Sequence, residues 1–498
     1  MTDSDRPPHL WIGALAVALL GTWIMYDALP GVNWGIWTLA AALGLVWIVR
    51  ARNATPGRPS MLILITAVVL AAGASITAGE LVSALICLSV ITLLALSMLM
   101  ILKPTFRPLT LFYFITAPVV AAGNALVESV RRFGDLSQTI RSPRARAVVR
   151  GAIITLPVIL VFALLLSNAD PLFALWREDI ARLIANWDFV PRVVFFFVML
   201  VVVLGAYGYV LRAQTIADNL PITEKTEPRQ RAALLGATER LILVSSVALL
   251  FWIFLAAQVS YLFGNAPTVP GSGITFADYA RRGFGEITIV ATLSVALIVF
   301  TELFGESNSR AGLLRAVTLV LVAALMLLLV SAFRRVSLYE QAYGYTVARL
   351  YAQAYMIVMA VAIVALAREV TTRLDSGRLF RISLATAVAT FAILVYWNHE
   401  AWIATQNIRR SATTGKLDTV YLTRDLSPNA IPSIVSALPT LPDSLATPIR
   451  SNLASHYGKR RFLWRKEWYE WNLGRARARK ALASIGITEP VPSAPPGD

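Results

Sequence analysis

The stretch LLRAVTLVLVAALMLLLVSAF, residues Leu313–Phe333, carries a single charged side chain, Arg315, in 21 residues. A helix of about 20 apolar residues is long enough to cross the hydrocarbon core of a bilayer. A strand of a membrane barrel would instead alternate polar and apolar residues over about ten positions, and this stretch does not alternate. It therefore predicts a membrane-spanning helix.

The composition of the whole chain extends this prediction. Of 498 residues, 57% are hydrophobic and 15% are charged, and the mean hydropathy is +0.64. A typical soluble protein has about 25% charged residues, so this chain lacks the polar surface that a soluble protein needs. The sequence predicts an all-α, polytopic integral membrane protein with about eleven spans. They are Leu10–Tyr26, Val32–Val49, Met61–Ala78, Leu81–Leu102, Gly151–Leu166, Val193–Leu211, Leu241–Leu262, Ile287–Leu303, Leu313–Phe333, Leu350–Ala367 and Phe380–Trp397.

The distribution of Lys and Arg predicts the orientation, because basic residues collect in cytoplasmic loops. Eleven spans with a cytoplasmic N-terminus leave most loop Lys and Arg inside and place the C-terminus outside. The stretch Leu109–Leu126 is apolar enough to be a twelfth span, but Pro118 and Asn124 interrupt it. Counting it as a span would invert the later loops and remove the charge bias. We therefore predict that Leu109–Arg132 is an interfacial or re-entrant amphipathic helix on the cytoplasmic side.

The composition changes after Trp397, which divides the chain into a transmembrane domain (1–397) and an extracytoplasmic helical tail (398–498). Trp464, Trp468 and Trp471 are spaced as on one face of a helix, with basic residues around them. Such a helix is expected to lie at the membrane interface. The net charge of +16 predicts contacts of the basic loops and tail with anionic lipid, and a protein partner is also compatible. Nucleic acid is not an expected partner.

Several classes of enzyme lack their sequence motifs here. The chain has one cysteine, Cys87, and three histidines, so it can form no internal disulfide and no centre rich in Cys or His ligands. It has no phosphate-binding loop, no zinc-protease motif and no serine-hydrolase motif. We therefore expect no metal or cofactor, and catalysis is not the favoured function.

Polar residues at the predicted outer ends of spans are the candidate functional residues, because ionisable side chains are costly at membrane depth. The alternative at each position is a helix cap or an interfacial anchor. The candidates for a binding site are Asp170, Arg281, Arg282, Arg334, Arg335, Tyr339, Glu340 and Tyr343. Asn398, His399 and Glu400 leave the last predicted span, and Gln353 and Glu302 are weaker candidates.

Four tyrosines follow a helical spacing near these candidates. Tyr339, Tyr343, Tyr351 and Tyr355 form one stripe if the helix that carries them is unbroken. The stripe is either an aromatic belt at the interface or the lining of a polar cavity. Arg335 is the first candidate, as an anion-binding or ion-pairing group beside the stripe.

Four segments together resemble a bacterial membrane family known as domain of unknown function 4173. They are Leu164–Asp170, Thr275–Glu286, Ser331–Tyr355, and Asn398–Ile408 with Leu417-Asp418 and Leu426–Pro432, and they cover about Gly151–Leu438. The family pattern after the last span, Asn-Pro-Asp, is replaced here by Asn398-His399-Glu400. The resemblance implies a multi-pass protein of the bacterial inner membrane. It supplies no catalytic residues, because the family has no assigned activity.

The sequence leaves three functions open. The leading hypothesis is binding or transport of a small molecule or ion through a polar site at the extracytoplasmic helix ends. The alternative is a scaffold or sensor subunit that transports nothing. The third is a membrane enzyme acting on a lipid-linked substrate, with Asp170 or Glu400 as an acid or base.

Overall fold

The regular elements of the computed structural model are helices, and this confirms the predicted all-α fold. The structure describes residues 8–137, 189–219, 235–262, 284–304, 311–372, 374–458, 461–465 and 467–489. The chain divides into two compact units. Unit 1 comprises Met1–Phe106, Phe112–Ile222 and Arg460–Ala476, and unit 2 comprises Arg107–Leu111, Thr223–Lys459 and Arg477–Asp498.

The described helices of unit 1 are α1 (Pro8–Met25), α2 (Val32–Arg50), α3 (Arg58–Gly73), α4 (Glu80–Met100), α5 (Leu111–Ser137) and α6 (Phe189–Asn219). Those of unit 2 are α7 (Ala237–Leu262), α8 (Phe284–Phe304), α9 (Ala311–Tyr343), α10 (Val347–Thr371), α11 (Ser376–Tyr396), α12 (His399–Thr414), α13 (Ile431–Ala437) and α14 (Asp443–Tyr457). A π-helical turn (Tyr421–Asp425) lies between α12 and α13. The tail continues with α15 (Arg461–Trp464), a 3₁₀ turn (Trp468–Glu470) and α16 (Leu473–Ser484).

Nine helices in the described part of the chain are long and apolar enough to cross a membrane. Eight of them coincide with predicted spans, and the predicted first and third spans form the shorter apolar helices His9–Met25 and Arg58–Gly73. The predicted span Gly151–Leu166 lies outside the described residues. The ninth long helix is α5, for which the loop charges predict a position at the cytoplasmic interface. By length and composition its segment Leu111–Asp135 could also span the membrane.

The helices of unit 1 pack closely against one another at glycine residues. α1 and α6 run antiparallel, since Gly13 lies beside Tyr207 and Gly21 beside Met199. The Tyr207 hydroxyl donates a hydrogen bond to the carbonyl of Ala41 in α2, at 3.2 Å. A Cβ on Gly44 would lie 1.9 Å from that hydroxyl oxygen, so only glycine leaves room for the tyrosine.

Several helix termini meet at one end of unit 1, which we call its N-terminal end. The start of α1 contacts the end of α2 through His9 and Trp47, and the end of α5 through Trp11 and Phe133. Gln214, late in α6, donates a hydrogen bond to the carbonyl of Val49.

The end of α4 lies at this same end, because Ile101 accepts a hydrogen bond from Gly57 in the α2–α3 loop. The chain thus leaves α4 and finishes α5 at one end of unit 1. An interfacial or re-entrant α5 stays a prediction, because the helix is also long and apolar enough to span a membrane.

The tail packs on the opposite end of unit 1, which holds the α1–α2 and α3–α4 loops. Asn472 donates hydrogen bonds to the carbonyls of Ala74 and Thr77, at 2.8 and 2.7 Å. Buried Glu470 accepts one from the backbone N–H of Leu29 at 3.1 Å. We call this arrangement the tail anchor (465–475).

The tail anchor corrects the prediction of one continuous Trp-rich helix. α15 ends at Trp464, and Trp468 begins a separate 3₁₀ turn that ends before Trp471. Trp464 is buried, whereas Trp468 and Trp471 are 52% and 48% exposed. The three indoles therefore do not lie on one helical face. The chain around them bonds to the α1–α2 and α3–α4 loops and does not form one continuous helix.

Ion pairs connect helices within unit 2. Arg240 at the start of α7 pairs with Glu302 at the end of α8, at 2.8 Å. Fully buried Glu369 of α10 pairs with Arg378 of α11, at 2.6 Å. Glu302, a candidate on sequence grounds, thus has a structural partner. We call the end of unit 2 opposite these ion pairs the polar end. It contains the ends of α9 and α11 and the starts of α10 and α12.

Candidate functional site

The polar end is organised around the sharp turn between α9 and α10. α9 continues ten residues beyond the predicted end of its span and stops at Tyr343, because Gly344 adopts a φ of +92°. The helix is therefore broken between Tyr343 and Val347, and the four tyrosines do not form one stripe. Tyr339 and Tyr343 contact each other on α9, whereas Tyr351 and Tyr355 belong to α10.

Asn407 of α12 holds this turn with both ends of its amide. Its Oδ1 accepts from the backbone N–H of Tyr345 at 2.7 Å, and its Nδ2 donates to the Tyr345 carbonyl at 2.8 Å. A backbone segment outside a helix leaves polar groups that need partners. Asn407 supplies them and thereby fixes α12 against the turn.

Two arginines bind the free carbonyls at the end of α9. Arg410 donates to the carbonyls of Gln341 and Ala342, and Arg349 donates to that of Gly344. The guanidinium of Arg349 also lies 4.2 Å from the ring centroid of Tyr339. Cations at a helix C-terminus are favourable because the carbonyl dipoles give that end a partial negative charge. These contacts stabilise the turn.

A second set of contacts joins half-buried side chains of α10 to buried side chains of α9 and α12. The Tyr351 hydroxyl lies 3.1 Å from Nε2 of His399, and Nδ1 of His399 lies 3.0 Å from the carbonyl of Leu394. A carbonyl only accepts, so Nδ1 donates in the contact with Leu394. On the other side of the turn, Gln353 donates to Glu340 at 2.7 Å.

Glu400 follows His399 and is also buried, and it accepts a hydrogen bond from the backbone of Ser427. The hydroxyl oxygen of nearby Tyr421 accepts from the N–H of Val347, at the first residue of α10. Burial, reinforced by the negative charge of Glu400, raises the pKa of Tyr421 to about 12, against the opposing effect of the Val347 hydrogen bond. Tyr421 is therefore a neutral hydroxyl at any physiological pH.

The structure brings together candidates from two predicted span ends. Arg335, Glu340, His399 and Glu400 all lie at the polar end of unit 2 and are at most 6% exposed. Arg334 is exposed, and Tyr343 is 55% exposed. The candidates Asp170, Arg281 and Arg282 lie outside the described residues.

Sequence reasoning missed the residues that hold the turn, namely Asn407, Arg410 and Tyr421. Asn407 and Arg410 are spaced i, i+3 on the amphipathic helix α12, so they share a face. This spacing is the one local signal of their common role. Nothing local indicates Tyr421, whose partner Val347 is 74 residues away.

The described residues offer no cluster of three or more His, Cys, Asp or Glu side chains that could hold a metal ion. The chemistry available at the polar end is hydrogen bonding and charge. Glu340 and Glu400 supply carboxylates, Arg335 and Arg349 supply guanidinium groups, and Tyr351 with His399 supplies a hydroxyl–imidazole pair.

The fold and this site define an all-helical, multi-pass integral membrane protein. The chain belongs to the family described as domain of unknown function (DUF4153), whose model matches residues 14–437. This corrects the resemblance to domain 4173, although both are families of unknown function. The match begins far earlier than the resemblance did and ends before the tail anchor. No curated protein and no solved structure matches the chain.

Proposed function

We propose that this membrane protein binds, and by binding transports, a small polar molecule or ion at the polar end of unit 2. The observation that carries the proposal is the burial of Arg335, Glu340, His399 and Glu400 at that end. Ionisable side chains at membrane depth are costly, and they mark functional sites by default. The Tyr351–His399 and Glu340–Gln353 contacts join side chains only, so a ligand can replace either partner without unfolding a helix.

The proposed location is the inner membrane of a bacterium, with a cytoplasmic N-terminus and an extracytoplasmic tail. The resemblance to bacterial membrane proteins and the loop charges support it. The opposite positions of the start of α1 and the tail anchor in unit 1 are consistent with this orientation. The exposure of Trp468 and Trp471 supports contact of the tail with the membrane interface, whereas buried Trp464 is unsuited to it.

The test compares function with folding in conservative variants. Tyr351→Phe removes the hydroxyl that contacts His399, Glu340→Gln removes a carboxylate charge, and both keep the shape of the residue. We expect both to be made, inserted and as thermally stable as wild type within a few degrees, and to lose complementation of a deletion phenotype per inserted molecule. Full complementation by both variants would contradict the binding function.

Arg335 is the next residue to test. Arg335→Ala is expected to abolish complementation while membrane insertion stays normal. Because Arg335 is buried, Arg335→Lys serves as a second variant that keeps a cation and most of the volume. Wild-type behaviour of Arg335→Ala would remove this residue from the site.

A scaffold or sensor subunit is the second candidate function, and the backbone contacts of Asn407 and Arg410 favour it. These residues hold α12 on the turn, as a structural role requires. In a scaffold, complementation follows stability in every variant, so Asn407→Ala would be the most damaging change and Tyr351→Phe nearly silent. A partner that co-purifies in fixed stoichiometry would also favour this function.

A further inference from the structure

A second candidate site lies in unit 1, away from the polar end of unit 2. A cavity of about 310 Å³ is enclosed by α2, α4, α5 and α6, with α1 at one end. No charged side chain lines it, and the hydroxyl of Tyr207 is occupied by the Ala41 carbonyl. Among its lining residues are Trp37, Leu45, Ala95, Ala121, Met199 and Val203.

The cavity is open over part of its boundary. Ile91 of α4 and Val202 of α6 both line it, and each is 51% exposed. Both helices contain segments long and apolar enough to span a membrane. The accessible lining is almost wholly apolar, so water in the cavity would find fewer than the two to four polar partners that a buried water needs. An alkyl chain of the bilayer is the chemistry that fits.

A cation stands above one end of the cavity. Met25 and Trp34 line that end, and Arg192 lies over the ring of Tyr26, 5.3 Å from its centroid. Arg192 and Met199 are seven residues apart on one face of α6, which separates them by about 10 Å along the helix axis. Exposed Arg192 is therefore placed to bind a phosphate while a chain below it enters the cavity.

We propose that the cavity holds one acyl chain of an anionic phospholipid whose phosphate is bound by Arg192. The apolar lining selects the chain and the guanidinium selects the headgroup, so this site discriminates among lipids rather than merely contacting the bilayer. It is independent of the polar end of unit 2.

Native mass spectrometry of the full-length, detergent-purified protein tests this site, with palmitoyl-oleoyl phosphatidylglycerol as the probe and phosphatidylcholine of the same chains as the neutral control. Wild type is expected to retain one phosphatidylglycerol with at least about tenfold preference, a difference of about 1.4 kcal/mol. Ala95→Phe fills the cavity and is expected to weaken binding of both lipids at least tenfold. Ala84→Phe, at an exposed position of the same helix, is the matched control and should bind like wild type.

Arg192→Gln tests the contact with the lipid headgroup separately from the contact with the acyl chain. We expect it to remove the preference for phosphatidylglycerol and to leave binding of phosphatidylcholine unchanged. If Ala95→Phe does not fold, the smaller Ala95→Leu replaces it. Equal binding by wild type and the cavity-filling variant would overturn the site, a retained preference in Arg192→Gln would overturn the headgroup assignment, and equal competition by oleate would show that a free fatty acid is the ligand instead.

Discussion

Among single residues, Gly344 has both a left-handed backbone conformation and a close contact with a neighbouring side chain. Its φ of +92° is unfavourable for any residue with a Cβ, and a Cβ there would lie 2.7 Å from Oδ1 of Asn407. Gly415, at the end of α12, also has a positive φ, of +68°, but a Cβ there would meet no atom within 4 Å. Alanine substitutions at these two glycines therefore distinguish the cost of the backbone conformation alone from that cost plus a steric clash.

We expect Gly415→Ala to destabilise the protein by about 1–2 kcal/mol, the usual cost of a left-handed conformation for an L-residue. Gly344→Ala should lower the free energy of unfolding further, because the side chain of Asn407 must also shift. Thermal unfolding in detergent measures both. Equal midpoints for the two variants would show that Asn407 does not constrain the turn.

The hydroxyl of Tyr421 gives a prediction about alkaline pH. Its pKa is raised from 10.0 to about 12, so the folded state binds this proton more tightly than the unfolded state does. The corresponding stabilisation is complete below pH 10 and is lost as the pH rises through about 12.

Tyr421→Phe removes this contribution. The difference in unfolding midpoint between wild type and the variant should therefore be constant up to pH 10 and shrink between pH 10 and 12. A difference that is independent of pH over this range would mean that the Tyr421 hydroxyl does not titrate differently in the two states.

At the scale of elements, the tail anchor shows how a segment far along the chain can fix two loops. Asn472 binds the α3–α4 loop, and Arg475 donates to the carbonyl of Pro30 in the α1–α2 loop at 2.9 Å. The backbone of Trp471 also accepts from Val32 at 3.1 Å. Removing one side chain here leaves buried carbonyls without donors.

We expect Asn472→Ala to destabilise the protein by about 1–3 kcal/mol, because the carbonyls of Ala74 and Thr77 lose their donor. Hydrogen–deuterium exchange should accelerate in residues 27–33 and 74–80. It should stay unchanged in the α2–α3 loop, which lies at the other end of unit 1. Unchanged exchange in both outer loops would show that the anchor is held by other contacts. Asn452→Ala in α14 is the matched control.

Hydrophobic length predicts where these helices lie but not where they end. The apolar run in α9 stops near Phe333, yet the helix continues to Tyr343, and Arg410 binds its last carbonyls from α12. Helical spacing also predicted one Trp-rich helix, although the backbone N–H groups of Leu473 and Gly474 bond instead to a loop about 400 residues earlier in the chain. Both errors arise because tertiary hydrogen bonds override local periodicity.

At the scale of the whole molecule, composition alone predicts the class of protein, since a chain this apolar can bury its surface only in a bilayer. The candidate site is predicted in part: span ends carrying Arg335 and Glu340 on one side and His399 and Glu400 on the other come together. Asn407 and Tyr421, which bond to the turn between α9 and α10, are not predictable, because they depend on how α12 and the π-helical turn fold back.

The orientation proposed above has the chain cross the membrane an odd number of times, so that residues 398–498 face away from the cytoplasm. Single cysteines in a Cys87→Ser background test it at three exposed positions: Asn53 in the α2–α3 loop, Arg424 in the π-helical turn and Glu467 in the tail. A membrane-impermeant maleimide should label Arg424→Cys and Glu467→Cys in intact cells, and label Asn53→Cys only after lysis. Labelling of Asn53→Cys in intact cells, with protection of the other two, would contradict the account.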